Sequence, residues 1–581
     1  MKKLRLIFLL FILPLAFSSC EDAFLSRDNP NSITPDNFWK TDADFQKALA
    51  TVYGSLQFGT VANGAYSQMM VLGDLGGTED WYVPWFDFTK FYFFDSHSFV
   101  RQNWNDLYIG IYRANQVLEN LDNGEHNLTA EQRSIIEGQA HFLRGYFYFV
   151  LVNNYGGAVV RLTTPKSIDE MNSPFIKDLN KLYNEVIIPD FQMAKDNLPQ
   201  QWTASSDIGR ITSGAATAML GKVALYNKDF ASAKTYFKEV IDSGVYALTD
   251  LIRDNFSEEN EYNSESIFEV TFSDALKPGT DGQQDDGNQY VPGSEATDMA
   301  HQIAGLNFGG YNVVLPSYYL HELMIYDEVD TRNPINSANQ SESARMNASI
   351  APMNFEGPYY KLEDSKLAIE NGWGFGQSAY VKKFTNWYLG RDAEDPQKRS
   401  GINFRLIRLA DVYLMYAEAV LETDGDVNEA IKYIDMVRKR AGVVTLEDYM
   451  SGNQGQFPRF DISMQALPED QRVRPLVAPT AESVMRHLRM VERPLELCFE
   501  GHRWYDLKRW GITKEVFESH QMDDAGRRAQ LEDADGNISV QGQPPMYIRE
   551  RYRDDYTNAL NSDMDIYFPI PTDEKQINQG L

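Results

Sequence analysis

The sequence predicts a mostly α-helical fold: a scaffold of tetratricopeptide-like helix pairs carrying a large, loop-rich, irregular subdomain with few short strands. Two observations predict it, and a third constrains how it is held together. Apolar residues recur at helical spacing in two matched stripes, and this arrangement occurs twice. Between the two occurrences, the stretch from Leu251 to Gly401 is dense in Gly, Asn, Asp, Ser and aromatic residues, and an insertion of that size inside a compact fold is a functional feature. The 581 residues include only two cysteines, so a large buried core carries stability, not a disulfide framework.

The chain opens Met1-Lys2-Lys3-Leu4-Arg5, runs almost wholly apolar from Leu6 to Phe17, and then reads Ser18-Ser19-Cys20. About twelve apolar residues rising ~1.5 Å each fall short of a ~30 Å hydrocarbon core, so residues 1–19 read as a cleaved leader and not as an anchor. Small residues directly before a cysteine fit lipoprotein processing, although Phe17 stands where Leu is usual. Cys20 is then the lipid attachment site. Each buried CH₂ of an acyl chain contributes ~0.8 kcal/mol, and two or three chains hold a protein at a membrane. With Cys20 acylated, Cys498 has no partner and no intrachain disulfide forms.

Residues 20–581 read as one domain, with a helical scaffold at about 36–250 and 401–515 and loop-rich regions at about 60–100 and 251–400. The first helix pair is marked by Ala215, Ala218 and Leu225, the polar turn Asn227-Lys228-Asp229, and then Phe230, Ala233, Phe237, Val240 and Ile241. Small alanines let two helices approach closely. The second pair follows Leu406, Leu409, Tyr413, Tyr416, Ala417, Val420 and Leu421, turns at Asp424-Gly425-Asp426, and continues through Ile431, Ile434 and Val437 to Gly442. Further helices are expected from Trp104 to Leu121, Ala130 to Asn154 and Ser483 to Trp510. A loop from Gly73 to His97 interrupts the N-terminal helices.

Removing the three basic residues of the leader takes the net charge from −29 to −32. Such a surface repels nucleic acid and anionic lipid. Neither Gly372-Trp373-Gly374-Phe375-Gly376 nor any other Gly-rich stretch has the context that phosphate binding requires, so no nucleotide cofactor is indicated. The eight histidines show no zinc-ligand spacing. Residues 281–287 are acidic but lack the spacing of a Ca²⁺ loop and read as a solvated turn.

Several segments resemble the SusD/RagB family of outer-membrane nutrient-binding lipoproteins. They are Phe38-Trp39-Lys40-Thr41; Trp104-Asn105-Asp106-Leu107-Tyr108; Phe142-Leu143-Arg144-Gly145-Tyr146; Arg408-Leu409-Ala410-Asp411 running to Ala419; Glu492-Arg493-Pro494-Leu495-Glu496 running to Gly511; and Tyr567-Phe568-Pro569-Ile570-Pro571. Their order and coverage carry the resemblance from Cys20 almost to the C-terminus. Pro494 stands where a second Arg is common, and Gly156-Gly157-Ala158 lacks a Pro. The resemblance implies a right-handed superhelix of tetratricopeptide-like pairs with a loop-rich ligand face. It also implies lipid anchoring in the outer membrane, a SusC-like TonB-dependent transporter as partner, and no enzymatic activity.

Sugar rings present apolar C–H faces, on which an indole or phenol stacks while polar side chains satisfy the hydroxyls. Trp81, Trp85, Tyr311, Trp373, Phe375, Trp387 and Tyr388 lie in the loop-rich stretches and are the candidate ligand-binding residues. Trp39, Trp104, Trp504 and Trp510 fall on helical stripes and read as core. The expected cargo is therefore an oligosaccharide; a peptide, or a surface glycoside hydrolase with two carboxylates across the scissile bond, are the alternatives. Cys498 and His502 stand four apart, the spacing of a nucleophile and base, yet lie where Leu495, Phe499 and Tyr505 line up for burial, and nothing nearby offers an oxyanion hole. Glu492, Glu496 and Glu500 at i, i+4 steps, with Arg493, Arg503 and Arg509 on neighbouring turns, read as intrahelical and interhelical ion pairing, worth a few tenths of a kcal/mol per exposed pair and structural, not a general acid and base.

Overall fold

The computed structural model describes residues 38–79, 81–275, 295–352, 355, 357–361, 379–392, 399–531 and 566–581. Nine helices of ten residues or more occur among them: α1 (Asp42–Gly54), α2 (Ser98–Asn123), α3 (Ala130–Tyr155), α4 (Ile188–Asn197), α5 (Ser213–Tyr226), α6 (Phe230–Asp242), α7 (Leu409–Thr423), α8 (Val427–Arg440) and α9 (Thr513–Leu531). Side chains that accept from the free N–H groups of the first turn fix where most of them start. Thr41 and Thr129 close capping boxes with Asp44 and Gln132 at α1 and α3, while Thr212, Asp229 and Asp426 cap α5, α6 and α8.

Both expected helix pairs form. Lys228, at φ 60°, makes the turn between α5 and α6. Gly221 of α5 sits so close to the Phe237 ring of α6 that an added Cβ would lie 2.6 Å from it. Small residues on α5 thus set the helix spacing. Helix α6 packs directly on α7, and α7 on α8, so the two pairs, far apart in sequence, are neighbours in space. Contacts of α2 with α3, α3 with α4 and α4 with α5 complete one unbroken helical stack.

The insertion leaves and re-enters this stack through an antiparallel pair, β1 (Ser266–Val270) and β2 (Phe404–Arg408), with Val270 opposite Phe404. Behind the pair lies a buried ion network. Arg408, 1% exposed, donates to Glu265 at 2.8 Å, to Glu496 at 2.6 Å and to Glu500 at 2.7 Å. Arg440 of α8 joins Glu265 and Glu496, and Lys383, from the insertion, reaches Glu500 at 2.8 Å. Three cations therefore face three carboxylates. Burial pushes the Glu500 carboxyl up, but Arg408 and Lys383 outweigh it and hold it at about 2.

Two expectations are corrected here. The single helix from Ser483 to Trp510 is instead two: a helical run from Ala481 to Leu497, whose middle turn, Leu488–Glu492, is π-helical, and Arg503–Trp510. The chain breaks after Leu497, where Phe499 takes φ 62° and Gly501 φ 81°, and a Cβ on Gly501 would strike the Tyr66 hydroxyl. Nor are Glu492, Glu496 and Glu500 exposed: all three are buried. Glu492 pairs with Arg345 and Arg438, while Arg493, Arg503 and Arg509 pair with Asp411, Asp74 and Glu418. Spacing alone could not reveal this, because a charge on an apolar helix face looks solvated until its partner is located elsewhere in the chain. No helix among the described residues is long and apolar enough to cross a membrane.

Replacing Arg408 by Met leaves three carboxylates facing one Arg and one Lys in a dry interior, and the loss of a buried partner costs about 3–5 kcal/mol. Denaturant unfolding of Arg408→Met should show a loss of this size, and one below about 1 kcal/mol would refute a central role for the network. A pH dependence follows from the histidines. Burial pushes His97, His321 and His502 from 6.5 down to about 4, so in the window between these values the unfolded chain binds the protons. The stability these neutral rings contribute is present above pH 6.5 and lost as pH falls through about 4. Melting temperature should decline across that interval, and less steeply in His502→Gln, which removes the ring beside Lys222.

Candidate functional site

A two-residue strand pair assembles the most exposed aromatic group. Gly76 and Gly77 pair antiparallel with Pro316 and Leu315, and the Ser317 N–H donates to the Leu75 carbonyl at 2.9 Å. Glycine is required on this edge, since a Cβ at Gly76 would lie 2.7 Å from the Met70 carbonyl oxygen. The pairing sets the start of the 78–94 segment beside residues 311–314 of the insertion. Just beyond it, Pro84 in the first turn helps begin a short helix, Val83–Thr89. Trp85, expected in a loop, lies on that helix.

Trp81 is 46% exposed and Tyr311 37%. The Trp81 and Tyr82 rings are 6.0 Å apart and tilted by 52°, and Tyr82 and Trp85 are 6.5 Å apart at 75°. Each ring is held from behind. The Trp85 indole N–H donates to Ser67 Oγ at 2.9 Å, and Tyr311 stands edge-on to His301 at 4.2 Å. Burial pushes the Tyr82 hydroxyl pKa up, against a hydrogen bond with Trp81 and with the help of neighbouring Tyr311 and Glu79. It therefore remains a protonated donor at neutral pH.

Beneath and beside the rings lie helices Ser67–Val71 and Met299–Ile303, in contact with each other, the former also packing on Val83–Thr89. Gln68 Oε1, Thr78 Oγ1 and Gln302 Oε1 are buried there with no hydrogen-bond partner among the described residues. A buried acceptor without a partner costs about 1–3 kcal/mol.

Sequence reasoning missed further exposed rings in this segment. Tyr82 belongs to the group, and past the helix Tyr92 is 62% exposed and Phe94 37%. Their projection is built in. Phe91 adopts φ 54° and stacks on Trp504 at 5.2 Å, while Phe93 packs on Phe88 and Phe568. Alternate residues thus anchor inward and leave their neighbours in solvent. All four residues are aromatic, so the sequence offers no signal that separates the two that project from the two that anchor.

The other sequence candidates separate. Trp387, expected as an exposed loop ring, is 5% exposed and belongs to a small core of the insertion with Phe308, Tyr359, Tyr360 and Tyr380. The Lys382 ammonium lies 3.7 Å from its ring centroid, and burial pushes that amine down to about 7. Trp387 is thus not available for stacking, because a loop of this length needs its own apolar centre. Tyr388 is half-buried and its hydroxyl accepts from the Glu258 N–H at 3.0 Å. Trp373, Phe375, Cys20 and the acidic 281–287 stretch lie outside the described residues.

Cys498 and His502 do not meet on one helix face. The thiol lies against the Leu495 carbonyl and burial pushes it up, whereas His502 faces Lys222 and Asp411. No group of three or more ligating side chains suited to a metal ion occurs among the described residues.

The sequence model of the SusD family matches residues 264–581, more than half of the chain. The chain belongs to the SusD family. A second model, described as starch-binding and associating with the outer membrane, matches residues 24–225. A SusD-like protein, P25, of Formosa agariphila is 27% identical over 538 residues, covering 89% of this chain and 92% of that protein. A solved SusD superfamily protein from Bacteroides vulgatus superposes with a TM-score of 0.71 at 22% identity, covering 93% of this chain and 98% of its own. Surface glycan-binding protein A from Bacteroides thetaiotaomicron, solved in complex with laminarihexaose, superposes with a TM-score of 0.61 at 20% identity, covering 93% and 98%.

Trp387→Ala should lower stability by about 3–5 kcal/mol, as for other buried aromatic truncations. Any ligand affinity should survive under conditions where the variant stays folded. A variant as stable as the parent would show that Trp387 is not core.

Proposed function

We propose that this SusD-family chain captures glycans at the outer-membrane surface on the aromatic group of Trp81, Tyr82, Trp85 and Tyr311, without transforming them. The observation that carries the reading is the exposure of Trp81 and Tyr311 on elements that a strand pair and a short helix hold in place. Aromatic faces with fixed polar groups are what a sugar requires. The 52° and 75° steps between successive rings suit a chain that curves, since a flat ribbon could lie on only one of them. The complex of a fold relative with laminarihexaose supports a glycan as cargo.

Membrane attachment is proposed through the acylated Cys20, with the apolar leader as its basis and the outer-membrane description of the second family model as its support. Delivery to a SusC-like TonB-dependent transporter rests on the family resemblance. Binding here needs no cofactor, because every contact is stacking or hydrogen bonding.

The test is affinity electrophoresis of the mature chain through gels containing plant, host-mucin or microbial polysaccharides, compared with Trp81→Ala and Tyr311→Ala. At least one polysaccharide should retard the parent, and each substitution should weaken binding by about tenfold or more, the scale of a lost stacking contact of ~1.4 kcal/mol. Unchanged retardation in the double variant would place the site elsewhere.

A further inference from the structure

A second cavity lies apart from the aromatic group and shares no residue with it. It is about 380 Å³ in volume and opens between the strand pair Phe457–Pro458 with Leu476–Val477 and the helix Ala481–His487. Phe457, Pro458, Phe460 and Val477 supply apolar wall. His487 forms part of the floor, edge-on to Phe457 at 5.8 Å and to Phe460 at 5.7 Å.

The polar groups converge. Asp461 accepts from Arg459 Nε at 3.1 Å and Nη2 at 3.2 Å, and from Arg486 Nε at 2.6 Å. Each arginine has five N–H donors, so both keep donors beyond those spent on Asp461. His487 is 3% exposed. Its Nε2 faces the Glu492 carboxylate at 3.3 Å, and a carboxylate only accepts, so Nε2 carries the proton. Nδ1 is then a buried acceptor, and it has no partner among the described residues.

The charge balance decides the ligand class. Arg459 and Arg486 together exceed Asp461 by one positive charge, but exposed Glu482 also lines the cavity and cancels it. An anion gains no net attraction there, and the −29 chain repels it. What remains is a wall for an apolar face, donors on two arginines and an acceptor on Asp461. The volume fits a small ligand, within the roughly 300–1,000 Å³ range of such pockets.

We infer that the cavity bounded by Phe460, Arg459, Asp461, Arg486 and His487 is a second saccharide site, taking one end or branch of a neutral glycan. This rests on the glycan-capture reading and adds a different mode: the aromatic group holds a chain along its length, while the cavity holds a terminus. Two sites on one tethered molecule raise the avidity for a branched polymer, because the second engagement is intramolecular.

Saturation-transfer NMR on the mature chain, with a panel of neutral methyl glycosides and methyl glucuronide as the anionic probe, tests the inference. A neutral glycoside should give a signal that persists in Trp81→Ala/Tyr311→Ala and vanishes in Ala478→Trp, which fills the cavity from an exposed position. Arg486→Ala, whose side chain is 46% exposed, should weaken the same signal and keeps the test valid if Ala478→Trp does not fold. Signals insensitive to both changes, or dependence on Ala478 and Arg486 for the glucuronide alone, would overturn the inference. Loss of polysaccharide retardation on changing Trp81, with no effect at residue 478 or 486, would remove this site and leave the first intact.

Discussion

The pairing of Arg408 and Arg440 with Glu265, Glu496 and Glu500, completed by Lys383, is the constraint on which the rest of this structure depends. Its members come from the approach to β1, the insertion, the end of β2, α8 and the 493–500 segment. Five stretches separated in the sequence must come together before all of these charges are paired. Buried charges are poor contributors to net stability, because desolvation offsets most of their attraction. Their effect is on alternatives: an arrangement that displaces one segment strands a charge in an apolar interior.

Around that centre the scaffold and the proposed ligand face divide the aromatic residues between them. Rings on the scaffold helices, such as Trp104 and Trp504, are core. In the insertion the division runs through a single region. Tyr359 and Tyr380 stack nearly parallel, 5.6 Å apart, and with Trp387 they give the loops an interior, whereas Tyr311 is left at the surface beside the 78–94 segment. The rigidity of the exposed group derives from the buried one, since a loop with no core of its own could not hold Tyr311 in register with Trp81. Exposed rings without such backing would lose most of their stacking energy to ordering.

Much of the scaffold was legible in the sequence because its signals are local. The alanines of α5, the Asn227-Lys228-Asp229 turn and the capping Asp426 are read within a few residues of where they act. The 493–503 segment was misread because its decisive facts are not local: Arg345, Arg438, Asp411 and Asp74 lie far away in the chain. The contact of α6 with α7 was likewise invisible, as no pattern tells a helix which partner lies beyond an insertion. For the ligand face, the sequence located Trp81, Trp85 and Tyr311 by composition but could not separate them from Trp387, since burial of a loop aromatic depends on a core that exists only after folding. Tyr92 and Phe94 were overlooked because their strained neighbour, Phe91, reveals its φ of 54° only in three dimensions.

The antiparallel β1–β2 pair places the two ends of the insertion side by side: Val270 faces Phe404, and the Phe272 N–H donates to Asn403 Oδ1 at 2.7 Å. To the scaffold, everything between those ends is a closed loop, whose length adds to closure entropy only logarithmically. The segment is tied to the scaffold interior at particular residues, Lys383 pairing with Glu500 and Arg345 with Glu492, and is free to vary in length between them. Residues between those anchors can lengthen or shorten while the helical stack keeps its packing.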